Sequence, residues 1–299
     1  MLGSGHQRPL CVAVDIGGTK LAAGLVDGSG SLLLAERIAT PATDDPEVLW
    51  SALAGLVTSV LAGAGPDPAA GPGAPGVCGV GCGGPMGAGG ELVSPLNIPA
   101  WRDFPLRSRL AELVGLPTAV DNDAKALALA EGWVGAAQGR RDYISMVVST
   151  GVGGGIVLDG RLLHGALGNA GHVGHVNVVP NGHVCGCGAR GCLEAEASGS
   201  GIARFTGRPA AEATPAIVVR TGRMVGRAVA GVANLLDLQL AVVGGSVALG
   251  FGAPFFSAAQ REVNRRARLP YALGTRVVPS ALGEYGGVLG GAAVAYTRL

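Results

Sequence analysis

The chain has 299 residues, 22 Lys+Arg against 21 Asp+Glu, a hydrophobic share of 48%, a charged share of 14% and 53 glycines. Charge is scarce beside the roughly 25% of an average soluble protein, and glycine is far above its usual share of about 7%. High hydrophobicity excludes disorder, the lack of a glycine at every third position excludes collagen, and a formal net charge of +1 gives no basic field for a nucleic-acid backbone.

The opening MLGSGHQRP is short and runs straight into a strand, so no signal peptide is expected. A strand is predicted from Leu10 to Asp15, a second from Leu21 to Val26, and a third from Ser31 to Arg37 after the Asp27-Gly28 turn. A helix follows Pro46, and a Gly/Pro/Ala loop runs from Gly63 to Gly76. The stretch Val48 to Pro66 carries no charge and has the length of a bilayer span. Leu49, Leu53, Leu56 and Val60 nevertheless recur at helical spacing with Ser51, Thr58 and Ser59 between them, which predicts an amphipathic surface helix. Next come a strand from Val77 to Gly81, a helix from Trp101 to Val114 and a short strand from Thr118 to Val120. A helix from Ala124 to Gly135 opens at Asn122-Asp123, and a strand from Tyr143 to Ser149 leads into a glycine run. Helices dominate from Cys192 to Leu236. The second uncharged stretch, Leu238 to Gln260, is broken by Gly244, Gly245, Gly250, Gly252 and Pro254 and does not read as a membrane span. A strand from Thr275 to Pro279 and a helix from Tyr285 to Tyr296 end the chain. Strands alternating with helices predict an α/β fold.

One pattern recurs: an apolar strand, then a glycine turn. It occurs at Asp15-Ile16-Gly17-Gly18-Thr19, at Ser149-Thr150-Gly151 and at Gly244-Gly245-Ser246. Backbone N–H groups without a Cβ in the way suit a bulky anion such as phosphate. Asp15, at a strand end, is placed to hold a Mg²⁺-bound water. The run from Gly151 to Gly155 offers a second cradle. Neither turn has the spacing of a P-loop or of G-x-G-x-x-G. Asp121-Asn122-Asp123 joins a strand to a helix, where a carboxylate either caps the helix or, kept ionised, deprotonates an attacking hydroxyl. His175, Cys185, Cys187 and Cys192 form H-x9-C-x-C-x4-C, three thiolates and an imidazole fit for a closed structural zinc site. Cys11, Cys78 and Cys82 read as buried free thiols, and His6, His164 and His183 are left over.

DIGGTK from Asp15, the NDA triplet, STGVGGG, GH…CGCGARGCLE and the final GEYGGVLGGA stand in the order of the ROK family (repressors, open reading frames and sugar kinases), which the chain resembles over nearly its whole length. The resemblance implies a two-lobed actin-like, ribonuclease H-like ATPase fold with the active site in the interlobe cleft. The small lobe would be residues 1–120 with the helix 285–299, and the large lobe residues 121–284 with the zinc loop. It implies Asp123 as catalytic base on the sugar 6-hydroxyl and Asn122 as a ligand of sugar hydroxyls. Glu194 and His175 would be further sugar contacts, with Gly84 and Asn97 bordering the sugar. ATP with Mg²⁺ would be held by Asp15, Gly17, Gly18, Thr19 and Lys20, by Thr150, Gly151, Gly153 and Gly154, and by Gly244 and Gly245. Most family kinases read E-x-G-H where this chain has His172-Val173-Gly174-His175. That imidazole changes which hydroxyls or N-acyl group can be paired, and the GNAGHVGH stretch is most similar to bacterial N-acetylmannosamine kinases. The expectation is 6-phosphorylation of N-acetylmannosamine, with glucokinase and then N-acetylglucosamine kinase as alternatives. The family's repressors carry a DNA-binding helix-turn-helix ahead of this motif, and with DIGGTK beginning at Asp15 none is expected here. A soluble cytoplasmic homodimer with no nucleic-acid or membrane partner completes the expectation.

Overall fold

The computed structural model describes residues 8–64 and 73–299. The MLGSGHQ segment and residues 65–72 of the Gly63–Gly76 loop lie outside the described residues. The chain divides into two units, Met1–Val134 with Leu282–Leu299, and Gly135–Ala281.

The first unit is built on β1 (Cys11–Ile16), β2 (Lys20–Val26), β3 (Leu32–Ala39), β4 (Val77–Cys82) and β5 (Thr118–Asn122), ordered β3-β2-β1-β4-β5. β1 pairs antiparallel with β2 and parallel with β4, which pairs parallel with β5. Strand alternation assigns the two faces. Val12, Val14 and Ile16 share a cluster with Leu49, Leu53, Leu56, Val57 and Val60 of α1 (Pro46–Ala64). Cys11 and Ala13 pack with Val288, Ala292 and Ala295 of the last helix, α8 (Gly286–Arg298). Asp15 continues the second set and therefore faces α8. By the same count Asp121 follows Ala119, which clusters with Val294 of α8.

α1 is the one helix among the described residues long and apolar enough to cross a bilayer. Its apolar stripe is spent on the sheet, as the spacing predicted. The helix expected from Trp101 is shorter, α2 (Leu106–Val114). Trp101 stacks on Phe104 at 4.4 Å between centroids, and Phe104 bridges to Val93, so this segment packs as an irregular cover before Pro105 starts the helix. β5 runs directly into α3 (Asp123–Val134), which packs against α8. These pairings put the unit boundary after Val134, later than the 120/121 division read from the sequence.

The second unit repeats the topology. β6 (Tyr143–Val148), β7 (Val152–Leu158), β8 (Arg161–Leu162), β9 (Leu240–Gly244) and β10 (Arg276–Pro279) are ordered β10-β9-β6-β7-β8. β6 pairs antiparallel with β7 and parallel with β9, as β1 does with β2 and β4. Four helices complete the unit: α4 (Leu193–Ala197), α5 (Gly199–Thr206), α6 (Pro215–Leu236) and α7 (Ser246–Arg266). α7 runs through the uncharged stretch with a break at Gly252, where φ is 58°, just ahead of Pro254. Its Phe255, Ala259 and Val263 meet Met224, Val225 and Val229 of α6 in the core.

Candidate active site and metal centre

In the first unit the β1–β2 turn closes with Gly17 N–H donating to the Lys20 carbonyl at 3.0 Å, and Thr40 Oγ1 donates to the Gly17 carbonyl at 2.7 Å. Thr19 and Lys20 are exposed. Asn97 lies against this turn: a Cβ on Gly18 would come within 2.8 Å of its carbonyl oxygen, and one on Gly83 within 3.2 Å of its Oδ1. A Cβ on Gly84 would lie 3.7 Å from Asn122 Nδ2. Asn97, Gly84 and Asn122 are thus gathered at the strand ends beside Gly18.

Asn122 caps α3, its Oδ1 accepting from Ala124 N–H at 3.1 Å, while Asp123 Oδ1 accepts the same N–H at 2.8 Å. The Ala124 N–H is thus shared by the amide and the Asp123 carboxylate, and Asp123 stands one residue further in, at the positive end of the helix. Burial pushes the Asp15 carboxyl up from 3.8 to about 6, the Asp123 charge pushes the same way, and Lys20 opposes them. Two carboxylates close enough to repel are the arrangement a divalent cation or a reacting proton relieves. Gly287 of α8 lies directly on the Asp15 carboxylate, where a Cβ would collide with it. Asp121 faces the other way from Asn122: its Oδ1 accepts Asn122 N–H at 2.8 Å and its Oδ2 accepts from Arg298 Nη2 at 2.5 Å. Gly287 and Arg298 were not singled out in the sequence; the pattern of a helix packed on the acidic face of the sheet is what finds them.

In the second unit Ser149, Thr150 and Gly151 form the β6–β7 turn. Ser149 N–H donates to the Gly151 carbonyl at 2.9 Å, and the Ser149 and Thr150 carbonyls accept from Gly199 and Ser200 N–H at 2.7 and 3.1 Å. Ser149 Oγ lies 2.8 Å from Ser246 Oγ at the start of α7. Gly245, with φ of 94°, makes the sharp passage from β9 into α7. The first two amides of α5 are thus taken by the turn's own carbonyls, while the N-terminus of α7 also borders the turn, a setting favourable to anions. Gly153 and Gly154 do not extend it as a loop. They sit in β7, paired with Val147 and Met146. The space over Gly154 is taken by Val173 and the Gly171 carbonyl, so this glycine has a packing reason of its own. Glu194 Oε2 accepts Val152 N–H at 3.1 Å, which ties α4 to the strand just after Gly151.

His175, Cys185, Cys187 and Cys192 converge, their ligand atoms all within 4.8 Å of one another. His175 Nδ1 lies 3.7 Å from Cys185 Sγ, and Cys187 Sγ lies 3.8 Å from Cys192 Sγ. Ligands about 2.1–2.3 Å from a tetrahedral zinc are spaced about 3.5–3.8 Å apart. The four residues fit the ion, and their three cysteines are free thiols, as are the buried Cys11, Cys78 and Cys82. Nδ1 faces the thiols, so the opposite ring nitrogen of His175 points away from them. His172 stacks beside His175 at 6.1 Å between centroids. His183 does not join the cluster; its Nδ1 lies 3.0 Å from Glu196 Oε2.

Residues 11–298 match the sequence pattern of the ROK family. The chain is 40% identical over 256 residues to an N-acetylmannosamine kinase of Citrobacter koseri and 38% identical over 258 residues to one of Escherichia fergusonii, in each case across 81% of this chain and 84% of the relative. A crystal structure of a ROK family glucokinase from Streptomyces griseus, in complex with glucose and AMPPNP, superposes with a TM-score of 0.81 at 30% identity, covering 96% of this chain and 99% of that one. Strand order, acidic strand ends, Cys/His cluster and sequence lead to one conclusion: the chain belongs to the ROK family.

Proposed function

We propose that the protein transfers the γ-phosphoryl group of ATP to the 6-hydroxyl of N-acetylmannosamine, a step in sialic acid catabolism. The observation that carries the phosphoryl-transfer reading is the pair Asp15 and Asp123, one near the end of β1 and the other opening α3, close enough that the Asp123 charge helps to raise the Asp15 carboxyl. Asp123 accepts the proton of the sugar hydroxyl as that oxygen attacks phosphorus. Asn122, Asn97 and Gly84 border the sugar. Asp15, with the turn from Gly17 to Lys20, would hold Mg²⁺ and the phosphates; Mg²⁺ supplies neutralisation of the charge on the transferred group. Thr150 and Gly151, with Gly244 and Gly245, present N–H groups and a hydroxyl to the nucleotide. Glu194, His175 and His172 complete the sugar ligands. Zinc at His175, Cys185, Cys187 and Cys192 orders the loop that carries them. A homodimer in the cytoplasm belongs to the same reading.

The choice of sugar rests on His172 and on the N-acetylmannosamine kinases at 38–40% identity. An acceptor-only carboxylate at His172 would pair two hydroxyls, whereas imidazole offers one donor and one acceptor. Glucokinase is the second reading, favoured by the superposition on the Streptomyces griseus enzyme. Coupled ADP release with N-acetylmannosamine, N-acetylglucosamine and glucose decides between them. The expected order of kcat/KM places N-acetylmannosamine first. A value for glucose equal or higher rejects the substrate while leaving the kinase reading intact.

A further inference from the structure

Glu196 is fully buried, at 0% exposure. Its Oε1 accepts the backbone N–H of His183 at 2.7 Å, its Oε2 lies 3.0 Å from His183 Nδ1, and Arg220 pairs with that same oxygen. Arg220 Nη1 also donates to the Glu196 backbone carbonyl at 2.8 Å. The Phe205 ring closes the group: His183 stacks on it at 4.8 Å and the Arg220 guanidinium lies 4.8 Å from its centroid. Gly182 lies directly against the carboxylate, with no room there for a Cβ.

None of these side chains belongs to the Cys/His cluster, yet they adjoin it on both sides. His183 precedes Cys185 by two residues. α4, which carries Glu196, starts directly after Cys192 and also carries Glu194. A carboxylate removed from water is expensive unless its oxygens are matched. Here both are matched, by partners 13 and 24 residues away along the chain. The carboxylate therefore joins three segments: the loop before Cys185, α4, and α6 through Arg220.

We infer that Glu196 is a positioning residue that pins the loop of residues 176–191 onto α4 independently of the metal, and so sets the place of Glu194; the last clause rests on Glu194 being a sugar contact. The loop then has two anchors. The metal holds its Cys185–Cys192 end, and Glu196 holds its Val179–His183 end. Removing zinc loosens the first and leaves the second.

Zinc release to a chromophoric chelator, and amide exchange across residues 176–191 with and without zinc, test this in the full chain, in Glu196→Gln and in His183→Ala. Glu196→Gln keeps the shape and an acceptor for His183 N–H but loses the charge that Arg220 matches. About tenfold faster zinc release is expected, with faster exchange at residues 179–183 in the stripped protein. His183→Ala keeps the backbone donor, removes a half-exposed ring without burying a charge, and moves both readouts the same way by less. If Glu196→Gln does not fold, His183→Ala carries the test. In Glu196→Gln the sugar KM is expected to rise several-fold with kcat within about twofold, a split that loss of folded enzyme does not produce. Wild-type zinc release in the variants, or unchanged exchange at residues 179–183, overturns the anchor. An unchanged KM overturns its link to Glu194. The zinc and exchange readouts use neither sugar nor ATP, so failure of the kinase reading would show separately, as absent phosphorylation of all three sugars by the wild type.

Discussion

The two units share one strand order and differ in what they place at the strand ends. In the first, Asp15 is the penultimate residue of β1 and Asp123 follows β5 directly; in the second, β6 ends beside Ser149 and β10 beside Ser280, which lies next to Gly244. The charge balance follows: residues 1–134 with 282–299 contain 8 Lys/Arg and 14 Asp/Glu, and residues 135–281 contain 14 and 7. Carboxylates withdrawn from water, Asp15 in part and Glu196 and Glu262 almost wholly, are treated in opposite ways. Asp15 is pushed up to about 6 by burial and by Asp123. Glu262, on which burial also acts upward, is brought down to about 2 by Arg265, Arg266 and Arg227. Glu196 is lowered against its own burial by Arg220 and His183. Arginine lowers the Glu262 and Glu196 carboxyls, whereas a second carboxylate raises that of Asp15, the kind of perturbation on which the proposed function draws. Asp121 shows that the choice of partner belongs to the residue and not to the unit, since it faces away from the Asp123 side and has Arg298.

The sharpest way to separate the units is to remove zinc. Chelation should lower the melting temperature by about 10 °C and speed amide exchange within residues 135–281, with exchange in the β1–β5 sheet unchanged. Equal loss in both sheets would mean that the metal loop supports the whole chain. Arg298→Ala should come next. It takes the guanidinium from Asp121, whose side chain is 4% exposed, leaving the Lys125 charge nearby, and is expected to lower stability by about 2–3 kcal/mol in urea titration, with Arg298→Lys recovering part of it. Asp15→Asn should act in the opposite sense. A carboxyl with a raised folded pKa contributes stability below its unfolded value of 3.8 that is lost as pH rises through about 6. The amide should therefore stabilise by about 1–2 kcal/mol at pH 8, with the difference from wild type gone near pH 4. A destabilised Asp15→Asn at pH 8 would show the carboxylate to be structurally matched after all. The smallest effect belongs to Glu262→Gln. A depressed pKa contributes stability above the unfolded value of 4.5 that disappears as pH falls toward about 2. With Arg265 and Arg266 at 60% and 43% side-chain exposure, about 1 kcal/mol is expected at pH 7, vanishing in acid melts.

Much of this was legible in the sequence because it is local. Apolar strands followed by glycine turns gave most of the strands to within a residue or two, and H-x9-C-x-C-x4-C gave the four residues that converge. Three features were not legible, each for a physical reason. The Trp101–Phe104 segment has helical spacing, but Phe104 gains more by stacking on Trp101 and bridging to Val93. The glycines after Gly151 look like a loop, yet a neighbouring strand supplies their pairing and Val173 fills the space over Gly154. The Glu196 group and the Asp121–Arg298 pair join residues distant in the chain, the latter 177 residues apart, and no local pattern announces them. A charged residue inside a buried apolar stretch, such as Glu196 in Leu193–Ala197, is the one trace they leave.

On the proposed function, the acidic pair Asp15 and Asp123 of the first unit is the reacting centre, with Asp123 taking the proton. Single-turnover phosphoryl transfer by Asp123→Asn, measured beside calorimetric binding of N-acetylmannosamine to the same protein, tests it most directly. A rate lower by about 10²–10⁴-fold, with sugar affinity within a few-fold of wild type, is the result predicted. Transfer at a near wild-type rate would contradict it.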